Sequence, residues 1–504
     1  MNEDQYNDLC KACDHLLLAP DTCVERVAIP WLHVIRPHQI FLDGYEVIFR
    51  PQASAMWKRR IRNTASALRN LAKAIVNGGK PWSSAGQLPS KCDVLMVSHL
   101  LNDEFLAEEE DFYYGRAAGE LAEQGLSTTI ALINYTHTDP AILAGTCRQS
   151  KIPRVILAPV LGLAAEFQLY WRANVAALKL RAIATSQSSD LNRRVIKHAA
   201  LEAVSGGTIF TLRLGEQIKA LVSRLQPRAI IVTYEGHSWE RIAFAGARSV
   251  FPQIRCIGYQ HAALFNLQHA VQRRLAAKYN PDVILTSGRV AQVRLQENPE
   301  MLGVRVETLG SNRSFTRQAS RTSRTSNGEM RACLVLPEGN FYECNLLFGF
   351  SLQCARLLPE IEFIWRLHPN MNFEALTRQN KAFYELPPNI ILSSNTLADD
   401  IARSDWALYR GSTAIVQAAV SGVRPVYLHQ TGEIPIDTLY EIANLHAQVG
   451  EPNDFKELVS EVQSANAVSK GEQVQNYCEQ MFTPMDARVL TACITGLRKV
   501  GAVK

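Results

Sequence analysis

From Asp93 onward the chain alternates between short apolar runs that stop at polar residues and longer stretches of helical period. The first run, Asp93-Val94-Leu95-Met96-Val97-Ser98, has the pattern of a strand buried on both faces of a parallel sheet. The same pattern predicts strands over Thr128 to Asn134, Arg154 to Ala158, Ala229 to Tyr234, Arg255 to Gly258 and Val283 to Thr286. Residues 311–331 are rich in Ser, Thr and Arg and hold too few apolar side chains to support a core, so they read as a linker. Beyond them the alternation resumes at Ala332 to Leu336, Glu362 to Arg366, Ile390 to Leu392, Trp406 to Tyr409 and Pro425 to Leu428. Strands that alternate with helical segments build doubly wound parallel sheets. The expected class is α/β, with one such domain over residues 91–310 and a second over 332–504, facing each other across a cleft. Residues 1–90 read as a mostly helical segment ahead of both.

Composition narrows the function classes only slightly. The chain has 504 residues, 47% hydrophobic and 20% charged, which suits a soluble multidomain protein and excludes fibrous or wholly disordered classes. Its net charge of +5 favours anionic ligands weakly and points to no nucleic acid. The longest apolar stretch, Val155 to Phe167, is shorter than the roughly 20 residues a membrane span needs and contains Pro159. The acidic start Met1-Asn2-Glu3-Asp4 lacks the basic region and apolar core of a secretory signal, so a cytoplasmic location is expected. The 11 cysteines are then expected to be reduced and buried. Cys10 and Cys13, with His15 and Cys23 nearby, offer zinc-type atoms but no second pair at the usual spacing, and no metal site is assigned. The basic run Trp57-Lys58-Arg59-Arg60-Ile61-Arg62 is either a solvated helix face or a peripheral contact with the inner face of a membrane.

Ligands of open α/β sheets bind beyond the carboxyl ends of the strands, so the residues that follow each strand carry the chemistry. Strand 229–234 runs into Glu235-Gly236-His237, which puts a carboxylate at a cleft edge with room for substrate. Glu235 is the candidate general base, with His237 able to replace it or to contact phosphate; the competing reading is a carboxylate that stabilises a helix N-terminus. In the second domain Arg366-Leu367-His368-Pro369 leads into a helix expected to begin near Asn370, with Pro369 in its first turn and free N–H groups that suit an anion. Gly411-Ser412-Thr413 opens the helix Ala414 to Ser421, where the hydroxyls either cap the helix or hold a phosphate oxygen. The pairing of two anion-friendly helix starts points to a nucleotide phosphate held by Arg366, His368, Pro369, Gly411, Ser412 and Thr413. Glu338 and Gly339 follow the first strand of that domain and are candidate contacts for base or ribose. Gln260 and His261, His99 and Asp111 are candidate acceptor contacts, each also readable as a loop or cap residue. No P-loop, dinucleotide fingerprint or serine-hydrolase elbow is present, so the phosphate fits best as part of a sugar-nucleotide leaving group.

The motifs Glu235-Gly236, Arg366-Leu367-His368-Pro369 and Gly411-Ser412-Thr413 resemble those of bacterial CMP-sugar glycosyltransferases, including sialyltransferases and Kdo transferases of the GT-B fold. The runs Asp93 to His99, Asp111-Phe112-Tyr113-Tyr114-Gly115 and Gly258-Tyr259-Gln260-His261 are similar to those of bacterial surface-polysaccharide biosynthesis proteins. The resemblance covers roughly residues 91–430. It implies two Rossmann-like domains, the first for the acceptor and the second for a nucleotide-sugar. It further implies Glu235 as catalytic carboxylate, His368 at the CMP phosphate, Ser412 and Thr413 holding that phosphate, and no requirement for a metal or other cofactor. One departure is Tyr234, where many sialyltransferases carry a second acidic residue. The implied reaction is transfer of an acidic sugar from a CMP donor to a hydroxyl of a glycan or glycolipid; inversion would use Glu235 as base, and retention would use it otherwise. Two other classes remain open: a CDP-polyol phosphotransferase, and a non-catalytic glycan-binding or scaffold protein.

Overall fold

A computed structural model describes residues 1–49, 53–76, 79–147, 150–315, 331–369, 371–460 and 465–496; most of the expected linker, residues 316–330, lies outside them. The described strands form two sheets. The first contains β1 (Trp82–Ser84), β2 (Val94–Leu100), β3 (Thr128–Asn134), β4 (Arg154–Leu157), β5 (Ala229–Thr233), β6 (Arg255–Gln260), β7 (Val283–Thr286) and β8 (Arg305–Thr308), in the order β1-β4-β3-β2-β5-β6-β7-β8. The second contains β9 (Arg331–Leu336), β10 (Ile361–Trp365), β11 (Ile390–Leu392), β12 (Trp406–Tyr409), β13 (Arg424–Leu428) and β14 (Ala447–Val449), in the order β11-β10-β9-β12-β13-β14. All neighbours run parallel except β1, which pairs antiparallel with β4.

Within each sheet the parallel strands follow the doubly wound order in which the chain starts at the centre, winds outward and then crosses to the other side. The chain therefore has the expected α/β architecture, with two Rossmann-like, doubly wound sheets. The apolar runs explain the burial: alternate residues of β2 feed opposite faces, with Leu95 and Val97 in one core and Val94, Met96 and Leu100 in the other. Each such side chain contributes roughly 1.5–3 kcal/mol by leaving water.

The two ends of the chain differ from the expected domain ranges. Tyr6, Leu9, Cys13 and Leu16 of helix Glu3–Leu17 pack into one core with Leu169, Ala173 and Leu180 of helix Leu163–Thr185, so the N-terminal segment is a layer of the first domain. Cys10 and Cys13 lie buried in that layer, and burial pushes the Cys10 thiol up to about 12. At the other end the chain leaves the second domain: Thr483 and Ser287 share a backbone hydrogen bond of 3.0 Å, and Ser311 donates to Thr483 at 2.7 Å. The helix Ala487–Thr495 then places Val489, Leu490, Cys493 and Ile494 against Val94, Met96 and Ile130 of the first sheet. The second unit expected over 332–504 thus gives its last described helix to the first domain. Among the described residues, no helix is long and apolar enough to cross a membrane.

Candidate functional site

In a doubly wound sheet the crevice opens where the strand order reverses, beyond the carboxyl ends of the two central strands. In the first sheet that switch point lies between β2 and β5, and it is flanked by His99 of β2 and by Glu235 just after β5. In the second it lies between β9 and β12, flanked by Glu338 and by Gly411. Four of the residues singled out in the sequence therefore mark the two switch points.

Around the first, Gly236 turns the chain from β5 into helix Ser238–Val250 at φ +89, and a Cβ there would overlap the Ala270 carbonyl. The turn's N–H groups do not face an open anion site. Glu240 folds back and accepts from the N–H groups of Glu235 (3.0 Å), Gly236 (2.8 Å) and His237 (2.8 Å). Burial and then the neighbouring Glu235 charge push the Glu240 carboxyl up to about 7, against the pull of His237. Glu235 itself is buried beside Arg36, whose Nη2 lies 2.7 and 3.0 Å from its two carboxylate oxygens, and His237 Nε2 is 3.4 Å away. Burial alone would raise the Glu235 carboxyl, but the Arg36 guanidinium and His237 outweigh it and hold it well below the usual carboxylate range. For His237 burial opposes charge, and Glu235 with Glu240 carries the imidazole upward.

A wall of rings completes this side. His99 meets Trp239, Tyr113 and Tyr135 at centroid distances of 5.0, 5.5 and 5.4 Å, and its Nε2 is 3.2 Å from Thr233 Oγ1. Burial pushes His99 down to about 3 and His261 to about 4, so both imidazoles are neutral at physiological pH. His261 stacks edge-on to Tyr113 at 4.6 Å. Among the described residues Gln260 Oε1 is buried with no hydrogen-bond partner, and a buried polar atom at a cleft edge is where a ligand's polar group is wanted. Asp111 is tied into its own loop. Its Oδ1 accepts from Ser98 Oγ and from the N–H groups of Tyr113 and Tyr114, each at 2.9 Å, so it fixes the loop that presents Tyr113.

On the second side, a Cβ on Gly411 would overlap the Glu338 carboxylate, and one on Gly339 would overlap the His368 ring. Gly411 thus packs against Glu338, and the adjacent Gly339 packs against His368. Burial pulls the His368 imidazole downward, and Glu338 opposes that shift. Thr413 is the first flanking residue of helix Ala414–Val420 but makes no side-chain cap, so the capping alternative does not apply to it. Arg366 Nη1 donates to the Asn395 carbonyl at 2.7 Å and to Asp400 at 2.9 Å. The helix expected near Asn370 instead spans Phe373–Gln379, with Asn372 capping it by accepting from Ala375 N at 3.1 Å; Pro369 stands in the preceding turn.

Two residues that sequence reasoning missed join the halves. Arg36 reaches Glu235 in the first domain and lies within electrostatic reach of Glu338 in the second. His38 Nε2 lies 3.0 Å from Glu338 and 3.4 Å from Glu343, and these contacts overcome burial to push the imidazole up to about 9. Arg410 was also missed as a site residue: it is buried between Glu343 (3.0 Å) and Glu433 (2.6 Å), directly before Gly411.

No protein-family model and no curated protein matches the chain. Among solved structures it is similar to CalG4, the calicheamicin glycosyltransferase, at 12% identity and a TM-score of 0.46, over 82% of this chain and 100% of that one. It is also similar to the glycosyltransferase SnogD from Streptomyces nogalater, at 13% identity and a TM-score of 0.45 over 80% and 100% of the two chains. A UDP-N-acetylglucosamine 2-epimerase aligns at 10% identity and a TM-score of 0.42 over 82% and 99%.

Proposed function

We propose that this chain is a glycosyltransferase that moves an acidic sugar, of the Kdo or sialic acid kind, from a CMP-activated donor to a hydroxyl of a bacterial surface glycan. The observation that carries this reading is the asymmetry of the two switch points. In the first domain the N–H groups where a phosphate would sit are filled by the chain's own Glu240, while in the second Thr413 makes no side-chain cap and His368 stands beside Gly339. The anionic donor is therefore assigned to the second domain and the neutral acceptor to the first, against the rings of His99, Tyr113, Tyr135 and Trp239.

The donor phosphate is held by His368, Ser412 and Thr413 and by the N–H groups that start helix Ala414–Val420, and Glu338 contacts the nucleoside. Arg36 supports an acidic sugar in particular, since a guanidinium pairs with a carboxylate through two parallel hydrogen bonds. When a donor carboxylate draws Arg36 off Glu235, the buried Glu235 becomes more basic and can take the acceptor hydroxyl's proton. The acceptor oxygen then bonds to the anomeric carbon, the bond from that carbon to the phosphate oxygen breaks, and CMP leaves with the bonding pair. His368 and the helix N–H groups stabilise the charge that develops on the phosphate.

A thermal-shift series with CMP, CDP, UDP and GDP on the wild type and on His368→Ala tests the assignment. The expected result is a rise in melting temperature with CMP that the variant loses, followed by CMP release from a CMP-acidic sugar that Glu235→Gln abolishes. Preference for CDP would transfer the site to polyol-phosphate chemistry. Preference for UDP or GDP would overturn the donor, and no response to any nucleotide would overturn the enzyme reading.

A further inference from the structure

The helix Ala53–Val76 faces the wrong way for a helix in water. Its inward side is polar: Arg59 pairs with Glu202, Asn63 donates to the Leu201 carbonyl at 3.2 Å, and Asn70 donates to Tyr170 Oη at 3.1 Å. Its outward side carries Trp57, Ile61, Leu68 and Ile75, which are 65%, 53%, 65% and 69% exposed. Their spacing of four, seven and seven residues places them in one stripe along the helix. From Trp57 to Ile75 that stripe runs about 27 Å.

The neighbouring helix Leu163–Thr185 repeats the arrangement. Leu163, Phe167, Trp171 and Leu178 are exposed at spacings of four, four and seven, and the contact of Asn70 with Tyr170 places the two helices side by side. Single exposed apolar residues are ordinary, but two adjacent helices that both turn an apolar stripe outward are not. The charge is equally one-sided. Helix Ala53–Val76 contains six cations and no carboxylate, and Lys58, Arg62, Arg69 and Lys73 fall along one border of its stripe.

We infer that this two-helix face docks on an anionic lipid bilayer, lying in the interface with its apolar stripes among the acyl chains and the flanking cations at the headgroups. Among possible occupants only a surface that is both apolar below and negatively charged above matches the two features together. The face is built from helices outside the cleft, so the inference stands whether or not the proposed reaction is correct.

The test uses the full chain and vesicles of phosphatidylcholine, with and without phosphatidylglycerol, in a flotation assay at low and high salt. Of the 7 tryptophans, Trp57 and Trp171 are the two that stand exposed, so quenching of intrinsic fluorescence by brominated lipid reports this face directly. Binding is expected with phosphatidylglycerol, weakened by salt, and quenched by the brominated lipid. Replacing Lys58, Arg62, Arg69 and Lys73 with Gln is expected to weaken it at least about tenfold, each cation near an anionic surface being worth roughly 1 kcal/mol. Trp57→Ser with Leu68→Ser is expected to abolish it while circular dichroism stays that of the wild type. Equal binding to both vesicles, binding that survives both sets of changes, or a lipid-free dimer that the serine variant dissociates in light scattering would each overturn the inference.

Discussion

Replacing Arg36 with methionine takes the cation away from a carboxylate whose side chain is 7% exposed, whereas Arg36 itself is 31% exposed. Unit charges about 4 Å apart at an effective permittivity near 20 attract by roughly 4 kcal/mol. Water around Arg36 and the contact that His237 keeps with Glu235 reduce the expected coupling to about 2 kcal/mol. A double-mutant cycle of Arg36→Met and Glu235→Gln, measured by urea unfolding at neutral pH, isolates that coupling from each variant's own cost. The sign with pH is fixed by the direction of the shift. Glu235 is held below its ordinary value, so its pairing contributes fully above the unfolded carboxyl value of about 4.3 and is lost only as pH falls through the lower folded value. The coupling should therefore stay constant from neutral pH down to the ordinary carboxylate range and shrink below it. Additivity of the two substitutions within about 0.5 kcal/mol, or a coupling that grows as the solution is acidified, would refute the argument.

The contact of His38 with Glu338 and Glu343 should respond oppositely at high pH. Its folded value of about 9 lies above the unfolded value of about 6.5, so its contribution is complete below the latter and lost as pH rises through the former, a difference of at most about 3 kcal/mol. The wild-type melting temperature should fall over that interval by more than that of His38→Gln, and equal falls would exclude the ion pair as a tie between the domains. Gly236→Ala should cost about 2 kcal/mol or more in urea unfolding, because alanine is strained at φ +89 and its Cβ meets the Ala270 carbonyl; a cost below about 0.5 kcal/mol would mean that the turn can shift.

What the sequence revealed follows from what burial leaves visible. Ten of the eleven legible strands lie inside a sheet, where both faces are covered and the apolar run has few gaps, as in β5 and β12; the eleventh, β11, is an edge strand whose Ile-Ile-Leu run still shows. The three strands it did not reveal, β1, β8 and β14, all lie at sheet edges, are three or four residues long and are only partly buried. Glu235, His99, Glu338 and Gly411 were legible because the end of an apolar run marks the end of a strand. Tyr135 carries the same signal, since it directly follows β3. Arg36 carried none: it sits in a loop of the N-terminal segment 199 residues from Glu235, and only the folded chain brings them together. A strand-end position does not tell which way a long side chain turns, and the pairing of Arg366 with Asp400 carried no signal in the sequence.

The loop that holds Arg36 also explains how one short segment can govern both halves of the cleft. Val34 adopts φ 48, a left-handed conformation that costs a β-branched residue on the order of 1–3 kcal/mol. It persists because Val34 is fully buried in the helical core of the first domain, where packing leaves it no alternative. Downstream of that fixed point, Arg36 and His38 are separated by Pro37, which restricts the backbone between them. Arg36 lies on Glu235 in the first domain, while His38 lies on Glu338 and Glu343 in the second. Glu338 is also the carboxylate packed on Gly411, at the proposed donor site. Under the proposed function, a donor anion that competes for Arg36 would raise the basicity of Glu235 while lying next to Glu338, the carboxylate that His38 contacts. On the proposed mechanism Glu235 would stay ionised and weakly basic until the donor is present, and the packing around Val34 would hold Arg36 and His38 in place meanwhile.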